Sequence, residues 1–159
     1  MKKFKYLYFS NIISSSPLYK LWLFKKIKGG EEDDGNLLTK PSNYSYQGID
    51  WTWNGYTVHG EGQAQASGSR MTETLELKKP LEKGKTYKFS IKERPKKNVT
   101  LRLITADESA LSIRIAPSDD YRQFTPNDDY VTFYIQYACS KNESVDVTIE
   151  DFKLEEMVI

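Results

Sequence analysis

From residue 36 onward, apolar and polar side chains alternate in short runs, and the runs are separated by turn-forming residues. A period of two over four to eight residues is the mark of half-buried strands. Ile49, Trp51 and Trp53 share one face of the first clear run. Asn54-Gly55 then offers a two-residue hairpin turn, which would set Trp53 against Tyr56 and Trp51 against Val58 across the hairpin. A loop rich in Gly, Ala, Ser and Gln follows over 60–69. Further strands are predicted over 74–77, 87–91, 99–104, 111–115, 130–137 and 145–154, with a turn over 81–85. Pro95, Pro117 and Pro126 fall in the connections, where a missing amide costs no ladder bond. Eight or nine short strands and no useful helical run after Gly30 predict an all-β fold, an antiparallel β-sandwich or jelly roll.

The alternation also assigns faces. Inward positions are Tyr87, Phe89 and Ile91; Val99, Leu101 and Leu103; Leu111, Ile113 and Ile115; Val131, Phe133, Ile135 and Tyr137; and Val145, Val147 and Ile149. The opposite faces carry Lys88, Ser90, Thr100, Arg102, Ser112, Arg114, Thr132, Tyr134, Gln136, Asp146 and Thr148.

The first thirty residues break the pattern. Ser16-Pro17 is a helix start, because the Ser hydroxyl can cap an orphan amide and Pro fits the first helical position. Gly29 is a stop, and Lys25, Lys26 and Lys28 sit where cations offset the helix dipole. The spacing predicts a helix over 17–28. Its apolar residues, among them Leu18, Leu21, Trp22, Leu23, Phe24 and Ile27, cover most of the circumference. Such a helix needs burial on more than one side. Residues 3–9 fit a strand or a helix equally.

Charge sharpens this division. The chain of 159 residues has a formal charge of +1, yet residues 1–30 hold seven lysines and no acid. All 22 acids lie beyond them. Between the two parts runs Gly29-Gly30-Glu31-Glu32-Asp33-Asp34-Gly35, a solvated linker. The expected organisation is a basic anchor over 1–30, an acidic linker over 31–35 and a β-domain over 36–159. Lys5 and Asn11 interrupt the N-terminal apolar stretch, which argues against a secretory signal, and no run is long enough to span a membrane. A cytoplasmic start followed by assembly into something larger is the simpler expectation.

Composition narrows the chemistry. One Cys (Cys139) and one His (His59) exclude Cys/His zinc clusters and an intramolecular disulfide. Near-balanced charge argues against a dedicated nucleic-acid binder. No phosphate-binding glycine loop and no Gly-x-Ser-x-Gly motif occurs, and no carboxylate pair is singled out, so a non-enzymatic role is expected. Twenty-one aromatic residues leave sugar binding open. Trp51 and Trp53 could stack a sugar ring, but their alternation with Ile49 favours a place in the core. Tyr134, Gln136, Arg102, Arg114 and Lys88 form the better sugar-facing set, against the commoner alternative of an ordinary solvated sheet.

Several stretches, taken in order, resemble a module of bacteriophage virion proteins. These are Asn36-Leu37-Leu38 at the start, Gly48-Ile49-Asp50-Trp51-Thr52-Trp53-Asn54-Gly55-Tyr56-Thr57-Val58-His59-Gly60, Leu81-Glu82-Lys83-Gly84-Lys85-Thr86-Tyr87-Lys88-Phe89-Ser90, and the closing Ile149-Glu150-Asp151-Phe152-Lys153-Leu154-Glu155-Glu156. That module is itself similar to the jelly-roll carbohydrate-binding modules of glycoside hydrolases. The resemblance covers roughly 36–156. It implies a jelly roll on a tail, baseplate or head-fibre protein, made in the host cytoplasm and located in the virion. It further implies a cell-surface glycan as partner, while the basic helix with apolar residues on most sides points to copies of the chain itself, a homo-oligomer, or to other virion proteins. By analogy with sugar-binding jelly rolls, Asp151 is a candidate ligand for a structural calcium; no other cofactor is expected. A stand-alone carbohydrate-binding module is the alternative, and a glycan-active enzyme a more distant one.

Overall fold

The computed structural model describes residues 34–158. The expected anchor helix, with Leu18, Leu21, Trp22, Leu23, Phe24 and Ile27, and the ambiguous stretch 3–9 lie outside the described residues. Twelve strands follow in chain order: β1 (Tyr44–Tyr46), β2 (Ile49–Asn54), β3 (Thr57–Gln63), β4 (Ser69–Arg70), β5 (Leu75–Leu81), β6 (Tyr87–Ser90), β7 (Val99–Thr105), β8 (Ala110–Ile115), β9 (Tyr121–Phe124), β10 (Tyr130–Tyr137), β11 (Ser144–Ile149) and β12 (Lys153–Glu156). The described part is all-β and every strand pair is antiparallel.

The strands form a β-sandwich. One layer runs β1-β2-β3-β11. The chain then turns at Asp151, where φ is 58°, and continues as β12 in a smaller sheet of order β12-β6-β9. The facing layer is built on β10. It has β7 and then β8 on one side, while β4 and β5 share its other edge. Between the layers lie Trp51, Tyr87, Phe89, Leu101, Phe133 and Phe152, all essentially fully buried. Burial of such side chains contributes on the order of 2–3 kcal/mol each and fixes which strand face points inward.

The sequence expectation differs from the structure in four places. The hairpin between β2 and β3 turns on Gly55-Tyr56, with Asn54 already paired to Thr57. Only Gly55 among these residues has positive φ (63°), the pattern of a turn that needs glycine at its first central position. The register therefore moves, and Trp51 faces Gly60 while Trp53 faces Val58. Second, β10 is irregular between Tyr130 and Thr132. The extra residue turns Tyr130 inward and leaves Val131 only half-buried. Third, the predicted strand over 145–154 is two strands, parted at the left-handed Asp151. Fourth, β3 and β4 run into the expected loop over 60–69, and β4, β1 and β9 are strands that the alternation does not predict. All three are short edge strands, and β9 is exposed along most of its length.

Two local devices hold the layers together. Gly60 leaves room for the Trp51 ring: a Cβ at this position would lie 2.1 Å from Trp51 Cζ3. Asn36 clasps the start of the domain to its end. Its Nδ2 donates to the Phe152 carbonyl (2.8 Å), and its Oδ1 accepts from the amides of Leu38 (3.1 Å) and Leu154 (3.0 Å). Beside the clasp, Lys78 Nζ lies 2.7 Å from Asp34 Oδ1 and 5.6 Å from the centre of the Tyr56 ring. Burial pushes the Asp34 carboxyl up. Hydrogen bonds from Lys78, the Asn36 amide and Tyr56 outweigh it and hold the group below the ordinary carboxylate value.

Candidate functional site

Trp51 and Trp53 are core residues, 1% and 8% exposed. Trp51 Nε1 donates to Ser69 Oγ (2.9 Å), and its ring meets Tyr137 edge-on with centroids 5.6 Å apart. Trp53 Nε1 donates to the Met71 carbonyl (2.8 Å), and its ring packs on Phe152. Both indoles span the two layers with their polar atoms satisfied, so neither presents a ring to a ligand.

The outward face of the β4/β5-β10-β7-β8 layer is different. Strand pairing sets its side chains in rows. Arg70, Gln136, Thr100 and Arg114 form one row across four strands. Tyr134, Arg102 and Ser112 form the next. Glu76, Thr132, Ile104 and Ala110 form a third. Tyr134, Gln136, Arg102 and Arg114 are thus brought together as the alternation predicts.

Lys88 is not part of this group. It stands on β6 in the smaller sheet, with its Nζ 3.4 Å from Glu155 Oε1 and 5.4 Å from the centre of the Tyr121 ring. Alternation assigns a side chain to a face, but which strands share a sheet depends on long-range pairing.

Arg70 is the residue that sequence reasoning missed. It occupies a two-residue strand whose only ladder partners, Gln136 and Tyr137, lie far along the chain. Its guanidinium carbon sits 3.9 Å from the centre of the Tyr134 ring, a cation–π contact. Nη2 donates to Thr74 Oγ1 (2.8 Å), which fixes the plane of the group. Nε is buried and, among the described residues, has no hydrogen-bond partner. One row across, Arg102 Nη1 donates to Ser112 Oγ. None of the ion pairs within the described residues involves Arg70, Arg102 or Arg114.

The outer face of the other layer has the opposite character. Ser45, Asp50, Glu61 and Asp146 form a row, and Thr52, His59 and Thr148 form the next. His59 Nε2 lies 3.3 Å from Asp146 Oδ1 and 3.8 Å from Glu61 Oε2, and its Nδ1 is 2.9 Å from Thr148 Oγ1. Asp50 accepts from Ser45 Oγ (2.6 Å). This face consumes its polar groups internally.

No family model matches the chain, and no curated protein matches it. Solved structures do. They are carbohydrate binding modules of family 29. One is a point mutant, 13% identical, covering 79% of this chain and 86% of its own, with a TM-score of 0.41. A second variant, solved with cellulohexaose, is 14% identical over 79% and 86%, with a TM-score of 0.42. A third structure of a family 29 module is 13% identical over 76% and 86%, also at 0.42. The chemistry of the face follows from its own residues.

Among the described residues no three His, Cys, Asp or Glu side chains are grouped to hold a metal ion. Asp151 serves the β11–β12 turn, where its amide donates to Thr57 Oγ1 (3.3 Å). No helix among the described residues is long and apolar enough to cross a membrane.

Proposed function

We propose that this β-sandwich is a non-catalytic glycan-binding module that uses the outward face of the β4/β5-β10-β7-β8 layer. The observation that carries the reading is the Arg70–Tyr134 pair, a flat π platform held among side chains that can both donate and accept hydrogen bonds. The C–H faces of sugar rings pack on flat π surfaces, while Gln136, Thr100, Ser112 and Thr132 match hydroxyls around them. On the outer face of the opposing layer the polar row is closed on itself through His59 and the tryptophans point inward; its stacked Tyr44–Tyr46 pair lies on the β1 edge, paired to the buried Trp51 and Ile49.

A glycan array probed with the full chain and with Tyr134→Ala tests this. The wild type binds a subset of glycans. Tyr134→Ala weakens that binding by about 1–3 kcal/mol, the scale of losing one aromatic contact, with an unchanged far-UV spectrum. No binding to any glycan refutes the proposal.

The lysine-rich segment 1–30, joined through an acidic linker, favours a second and compatible reading. In this reading the segment docks the module on a virion or comparable assembly, as a homo-oligomer or against an acidic partner surface. Deleting residues 1–30 should then abolish incorporation into particles and leave the sandwich folded.

A further inference from the structure

The charge on the candidate face points to a particular ligand class. The chain contains five arginines. Three of them, Arg70, Arg102 and Arg114, project from the same sheet face, although residues 31–159 as a whole hold more acids than bases. Elsewhere among the described residues Lys78, Lys79, Lys85, Lys88, Lys92, Lys97, Lys153 and Arg94 meet a carboxylate within 4 Å, whereas Lys40, Lys83, Lys96, Arg122 and Lys141 stand singly on other parts of the surface. Among the described residues the three arginines meet none, and they are grouped on one face. The one acid at an outward strand position of this face is Glu76, in the third row and across β10 from Arg102 and Arg114.

Position adds to charge. Arg70 and Arg114 end the same row, three strand spacings apart, and roughly 4.8 Å per spacing separates their backbones by about 14 Å. Arg102 lies between them in the next row, directly opposite Tyr134. Guanidinium groups hold carboxylate and sulfate oxygens through paired hydrogen bonds, and they shed water more readily than an ammonium group does. Arg70 is already oriented by Thr74 and the Tyr134 ring, so little freedom is lost on binding.

We infer that the glycan is anionic, an acidic polysaccharide whose carboxylate or sulfate groups are read by Arg70, Arg102 and Arg114 while a sugar ring rests on the Arg70–Tyr134 platform. This inference rests on the glycan-binding reading above and narrows it.

Titration calorimetry on the full chain tests it with four probes: polygalacturonate, heparin, neutral cellohexaose and duplex DNA. Binding of polygalacturonate identifies carboxylate as the anion, and binding of heparin alone identifies sulfate. Either supports the inference, provided that Arg102→Gln with Arg114→Gln weakens the affinity at least about tenfold. The control pair Lys92→Gln with Lys141→Gln, exposed cations outside the strands of this layer, should change affinity less than twofold. Binding of cellohexaose with no preference for either acid overturns the inference and leaves the glycan-binding proposal standing. DNA binding as tight as that of the acids, weakened equally by both variant pairs, reduces the effect to diffuse charge attraction and also overturns it. No heat with any probe overturns the inference, and the glycan array then decides the glycan-binding proposal.

Discussion

Adding one methyl group at Gly60 tests how the two layers are locked. Gly60 faces Trp51 in the β2–β3 register, and a Cβ there would lie 2.1, 2.4 and 2.7 Å from Cζ3, Cε3 and Cη2 of the indole. Ordinary contact between carbons is about 3.5–4.0 Å, so the ring must retreat by more than about 1 Å. It has little room, because Tyr137 meets it edge-on at 5.6 Å and Ser69 Oγ holds Nε1 at 2.9 Å. Gly60→Ala should therefore cost about 2–3 kcal/mol, at the upper end for one buried overpacked carbon with a hydrogen bond at stake. With a urea slope of about 1–3 kcal/mol per molar, the unfolding midpoint falls by roughly 0.7–3 M at unchanged slope.

Trp51→Phe removes the ring atoms that collide. In that background Gly60→Ala should cost less than about 1 kcal/mol, which leaves a coupling of at least 1 kcal/mol in the double-mutant cycle. Far-UV circular dichroism in urea reads all four corners without relying on Trp51 fluorescence. Additive costs, or a neutral Gly60→Ala, would show that the indole does not fill the space over Gly60 and would refute the reasoning.

Asn36→Ala should destabilise by about 2–4 kcal/mol in the same assay, because it removes three buried hydrogen bonds and strands the groups they satisfied. Asn36→Asp should recover less than half of this loss near neutral pH, since a carboxylate cannot donate to the Phe152 carbonyl. The Asp34 carboxyl titrates lower in the folded chain than in the unfolded one. Its stabilisation is therefore complete above the ordinary carboxylate value of about 4 and is lost as pH falls through the folded value. The gap in unfolding free energy between wild type and Asp34→Asn should thus shrink between pH 6 and pH 3. It should stay under about 1 kcal/mol, because the Lys78 pair is partly solvated; a gap that widens toward acid contradicts the sign.

Alternation was enough to place the core of β6, β7 and β10 and to align Tyr134, Gln136, Arg102 and Arg114 on one surface. These residues lie on strands long enough for the period to repeat. It failed where one residue changes phase. The irregularity at Val131 and the break at Asp151 leave no mark in polarity, and the β2–β3 turn starts one residue later, with Gly55 at its first central position and Asn54 in the ladder. Arg70 was invisible for another reason. Its strand is two residues long, and its place beside Tyr134 comes from pairing with residues more than sixty positions away. Lys88 fell to the same limit in reverse, sharing the polar period but not the sheet.

Amide chemical-shift mapping shows which face of the sandwich holds the glycan. The full chain, labelled with nitrogen-15, is titrated with the glycan that binds most tightly on the array. Shifts should concentrate on Arg70, Thr100, Arg102, Ser112, Tyr134 and Gln136, with Asp50, Thr52, His59, Glu61 and Thr148 unmoved. Shifts centred instead on the His59 face would contradict that placement.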